Sequence, residues 1–80
     1  MNKKEVLEAA LRGEGCLGRC ADDEPVFVIV GRDRLAPIVV NHWINLAEAV
    51  GSTKAKIGGA RRDMAAIREW QDAHGSKVPD

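Results

Sequence analysis

Val26-Phe27-Val28-Ile29-Val30, closed off by Pro25 before it and Gly31 after it, decides how this chain is read. Five β-branched or aromatic residues in an unbroken run fit a strand covered on both faces. A buried strand cannot leave its N–H and C=O groups unpaired, so the reading requires a partner for it. Two partners are open. One is Gly15 to Cys20, folded back as a ragged hairpin through the Ala21 to Pro25 turn. The other is the same segment of a second copy, because an apolar edge is a template for pairing between chains.

Helical patterns surround this segment. Asn2 is placed to cap a first helix in which Val6, Leu7, Ala10 and Leu11 share a face, and Gly13 is its stop. Asp33 and Pro37 mark the start of a second helix with one apolar stripe, Val39, Val40, Trp43, Leu46, Ala47 and Val50, ended by Gly51. Ser52 or Thr53 caps a third, whose stripe of Ile57, Ala60, Met64, Ile67 and Trp70 or Gln71 runs to His74 and stops at Gly75. Gly58-Gly59 interrupts it early. Either the helix starts after the pair, or the missing side chains admit close approach of another backbone or a ligand. The expected fold is α+β: three helices and one central short strand in the order α-β-α-α. Residues 1–75 form a single small domain, and residues 76–80 form a loose tail.

A chain of 80 residues removes only about 60–65% of its unfolded surface from water, so its core is thin. Crude stability sums at this length come out near zero without a disulfide, a metal or self-association. Self-association, with a dimer favoured, is the expectation here. Twelve basic residues balance twelve acidic ones, and a net charge of zero argues against coating nucleic acid or anionic membrane by bulk charge. The longest apolar stretch is far too short to span a bilayer, and no export signal follows Met1-Asn2-Lys3-Lys4-Glu5. These features fit a soluble protein of the reducing cytoplasm.

The chemistry-bearing residues are sparse. Cys16 and Cys20 with His42 and His74 nominally supply four zinc ligands, but the CxxxC spacing lacks the tight pairing that zinc sites use. A thiol nucleophile with His42 as its base is the one catalytic arrangement that can be written, and no phosphate-cradling loop sits between a strand and a helix. No metal, cofactor or enzymatic activity is therefore expected. Lys54, Lys56, Arg61 and Arg62 form a local basic cluster at the start of the third helix, a candidate anion-binding site for a nucleotide or nucleic acid. Trp43 and Trp70 lie on the apolar stripes, where they are either core residues or interface anchors. The candidate interface comprises Val26, Val28, Val30, Trp43 and Trp70.

The block Asp22-Asp23-Glu24-Pro25-Val26-Phe27-Val28-Ile29-Val30-Gly31-Arg32-Asp33-Arg34-Leu35-Ala36-Pro37, followed by His42-Trp43 and Leu46-Ala47-Glu48, resembles an uncharacterised family of short phage, prophage and proteobacterial proteins. The match covers about half the chain. It implies a phage-type accessory protein, a class whose small members commonly bind and block a host or defence component, and it brings no active site with it. Cys20 and the glycine pair depart from the family pattern. The leading expectation is thus a non-enzymatic interaction protein that self-associates and binds a host protein, as an inhibitor of a bacterial defence system would. The alternative is a nucleotide or nucleic-acid binder.

Overall fold

The computed structural model describes residues 1–79. Its elements are α1 (Lys3–Leu11), a single helical turn α2 (Gly15–Gly18), α3 (Ala36–Ala49) and α4 (Lys54–His74). Of the described residues 61% are helical, and among them there is no sheet and no strand, which overturns the α+β reading and its α-β-α-α order. Residues 26–30 lie outside any helix or strand, and among the described residues no backbone hydrogen bond joins residues 25–29 to another part of the chain. The physical reason is exposure. A buried strand must pair its polar backbone, but Val26, Phe27, Val28 and Val30 are all exposed, so water serves those groups instead. The hairpin partner is absent too, because Gly15 to Gly18 coils into α2.

Local signals set the helix ends. Asn2 and Glu5 form a capping box on α1, the Asn2 side chain accepting from the Glu5 N–H at 2.9 Å. Gly13 and Gly15 take positive φ angles on either side of Glu14, turning the chain so that α2 folds onto the end of α1. Asp33 holds the entry to α3, its Oδ1 accepting from the Leu35 N–H at 2.7 Å, and Pro37 occupies the first helical turn. Gly51, at φ +80, ends α3. Thr53 caps α4, accepting from the Lys56 N–H at 3.2 Å. Gly58-Gly59 does not interrupt α4, which runs unbroken through both.

Two helical pairs result. The four-residue connection after α3 turns α4 back alongside it, and α2 packs on α1, but no helix of one pair packs on a helix of the other. Met1 spans the gap by pairing its ammonium with Asp63 of α4. At the far end α4 outruns α3 by roughly 10 Å. There Gln71 donates from Nε2 to the carbonyls of Gly31 and Asp33, both at 2.8 Å. In the segment 76–80 expected as a loose tail, of which residue 80 lies outside the described residues, Lys77 forms an isolated parallel bridge with Asp33, donating to Arg32 O at 2.9 Å and accepting from the Arg34 N–H at 2.8 Å.

The core is small. Among the described residues the buried ones are Ala9 on α1 and Ala36, Ile44 and Ala47 on α3, and Ile44 is the single large side chain that is fully buried. The two tryptophans, read from the helical stripes as either core residues or interface anchors, are 42% (Trp43) and 44% (Trp70) exposed.

Two glycines answer to opposite constraints. A Cβ on Gly18 would sit 2.7 Å from the Gly13 carbonyl carbon, which is backbone and cannot yield. A Cβ on Gly58 would meet only the tip of the Arg62 side chain, at 3.5 Å. At fixed chain concentration, Gly18→Ala is expected to lose about 1–3 kcal/mol through overpacking. Gly58→Ala is expected to gain about 1 kcal/mol from helix propensity. Urea denaturation followed by helical circular dichroism checks both signs, and a stabilised Gly18→Ala would contradict the α1–α2 contact.

Candidate interaction surface

α3 carries its apolar residues on two adjacent arcs. Ala36, Val40, Ile44 and Ala47, spaced i, i+4, i+8 and i+11, are buried or half-buried on the side that faces α4. Val39, Trp43, Leu46 and Val50, spaced i, i+4, i+7 and i+11, form the neighbouring arc, and all four are exposed. The stripe read from sequence as one face is therefore two, because 14 residues of helix with a single charge, Glu48, are apolar around most of their circumference. A helix of that kind is covered on more than one side in a stable assembly.

Beside this arc a shallow cleft of about 370 Å³ opens between α3 and α4, lined by Val40, Trp43, Ala55, Lys56, Gly59, Ala60 and Asp63. Gly59 widens it by lacking a side chain, and a Cβ there would meet nothing closer than the Arg62 tip at 3.9 Å. Trp43 belongs to both the arc and the cleft. Trp70 stands near the other end of α4, its ring stacked on His74 at 4.3 Å between centroids. The structure does not join the two tryptophans into one patch, since Trp43 lines the cleft at the start of α4 and Trp70 lies near its end. Val26, Val28 and Val30 are exposed with Phe27, at 89% the most exposed aromatic of the chain. Leu7 and Leu11 add a further exposed apolar pair on α1. Val39, Leu46 and Val50 join Trp43 as surface residues that a single apolar stripe does not distinguish from core; the near absence of charge on α3 is the signal that marks them.

The basic cluster divides around α4. Arg61 pairs with Glu48 of α3, and Lys54 and Arg61 line a small hollow with Glu48, Ile57 and Gly58. Lys56 lies on the other side, in the cleft with Asp63. Arg62 folds back over the glycine pair. Each half of the cluster thus has a carboxylate beside it, and the field that four adjacent cations would sum to is reduced.

Cys16 and Cys20 are free thiols. α2, which carries Cys16, does not pack on α3, which carries His42, so that thiol and imidazole are not brought together. Among the described residues no group of three His, Cys, Asp or Glu side chains is placed to hold a metal ion. Also among the described residues, no helix is long and apolar enough to cross a membrane. Cys20 donates from Sγ to the Cys16 carbonyl at 3.4 Å. Its pKa is raised, first by desolvation and then by the charge and hydrogen bonding of Glu24. A thiol held protonated is a poor nucleophile.

Comparison of the chain with family models, with curated proteins and with solved structures gives no match.

The thiol environments lead to a labelling order. At neutral pH iodoacetamide is expected to modify the exposed Cys16 before the half-buried Cys20. Peptide mass spectrometry over a time course reads the order, and faster modification of Cys20 would contradict the raised thiol.

Proposed function

We propose that this chain is a non-enzymatic interaction protein that self-associates, its apolar surface being completed by a second copy. One observation carries the reading. The accessible surface is 6407 Å², whereas a compact monomer of this mass exposes about 4,700 Å², leaving an excess of about 1,700 Å². The dimensions agree with the area: the radius of gyration is 13.4 Å, against about 11.6 Å for a compact chain of this length.

The excess is apolar in the places that matter. Val39, Trp43, Leu46 and Val50 on α3, the run from Val26 to Val30, and Leu7 and Leu11 on α1 are exposed, while the fully buried core holds one large side chain. Contiguous exposed apolar surface of this kind marks interaction sites. A standard interface takes about 800 Å² from each partner, so the excess suffices for one and leaves room for more. Self-association also answers the stability problem of so short a chain, since a partner that binds only the folded form shifts the equilibrium towards it.

Size-exclusion chromatography with light scattering at micromolar concentrations is expected to give a mass of at least twice the chain's 8.7 kDa. A strict monomer at high micromolar concentration would overturn the reading.

A further inference from the structure

We propose that α3 is the seam of a two-fold dimer, packing antiparallel on α3 of a second copy through Val39, Trp43, Leu46 and Val50. This rests on the self-association reading and names the surface that performs it.

Three of the exposed apolar regions compete for that role, and they are not equivalent. The run 26–30 has no regular structure, so using it as an interface would require ordering its backbone first. On α1, Leu7 and Leu11 stand among Lys3, Lys4, Glu8 and Arg12. α3 is already ordered by its packing on α4, and its exposed arc carries no charge. The only charged side chain of the helix, Glu48, is engaged by Arg61. Two copies of this arc therefore meet without setting like charges against one another, and little conformational freedom is lost on association.

The spacing specifies the direction. Val39, Trp43, Leu46 and Val50 are separated by four, three and four residues, a sequence of steps that reads the same from either end. Such a ridge packs on its own copy at a shallow crossing angle, as in helical bundles. When the copies run antiparallel about an axis between Trp43 and Leu46, each Trp43 covers the partner's Leu46 and each Val39 covers the partner's Val50. Large then meets medium and small meets small, and the helix dipoles oppose. A parallel arrangement sets tryptophan on tryptophan and aligns the dipoles. With α4 flanking each α3, the antiparallel dimer is a four-helix assembly in which α3 is covered on both apolar arcs. An interface of about 800 Å² per chain uses roughly half of the excess area.

The test is sedimentation equilibrium on the full chain, comparing the native protein with Val39→Lys, Val50→Glu and the double variant. Both positions are exposed in the single chain, so circular dichroism is expected to show native helix content in each variant. Either single substitution is expected to raise the dimer dissociation constant at least about tenfold, because it places an unpaired charge in an apolar seam. Combining the two is expected to return the constant to within about threefold of the native value, since antiparallel packing sets each introduced ammonium against an introduced carboxylate of the other copy. A double variant no tighter than the singles would overturn the antiparallel arrangement. A dimer unaffected by either single substitution would overturn the α3 seam while leaving self-association through another face intact. A native chain that never dimerises would overturn both readings.

Discussion

α3 has more apolar circumference than this chain has material to cover. One helix, α4, is laid against it, and that contact buries Ile44, Ala36 and Ala47. α1 and α2 pack on each other instead of on α3, so the second arc stays uncovered. The cause is the ratio of surface to volume in a short chain: the three other helical elements, at these lengths, cannot enclose α3. Much of the rest follows from that shortage. The tryptophans remain half-exposed, the apolar run before α3 finds no groove to enter, and the buried interior is made largely of alanine.

The parts of the fold that depend on adjacent residues were legible in the sequence, and the parts that depend on distant ones were not. Asn2, Asp33, Pro37, Gly51, Thr53 and Gly75 each act on backbone groups within a turn or two, and each marks the boundary it was expected to mark. The apolar run 26–30 was different. Its composition gives a preference for extended backbone, but a strand also needs neighbours to pair with and a surface to lie under, and the helices offer neither. Gly58-Gly59 left two readings open for the same reason. Two glycines weaken a helix, yet the α3 contact and the Thr53 cap hold α4 through them.

The candidate surface was partly legible for a related reason. A 3.6-residue stripe tells which residues are apolar but not which arc meets a neighbour, so Val39 and Val40 were read alike although one is exposed and the other half-buried. Trp43, Val39, Leu46 and Val50 share one stripe with Val40 and Ala47 in the sequence, and only the position of α4 separates the exposed members from the covered ones. Gln71 could not be foreseen. It sits on the helical stripe as a polar residue of no particular role, and only the placement of the 31–33 loop gives its amide two carbonyls to hold. That pair of bonds, with the Lys77 bridge, fixes the entry to α3 and the end of α4 at one point.

The separation of the helices into two pairs governs how this protein comes apart. Between α1–α2 and α3–α4 there is no helix packing, and the ion pair from Met1 to Asp63 is half exposed, the class of contact that salt weakens most. Melting is therefore expected to proceed in stages, with the first pair fraying while the second persists. Both tryptophans belong to the second pair. Indole emission thus reports on α3–α4 alone and stays silent through the earlier event, whereas peptide-bond dichroism registers each stage, and a single unfolding free energy fitted to either signal describes only part of the molecule.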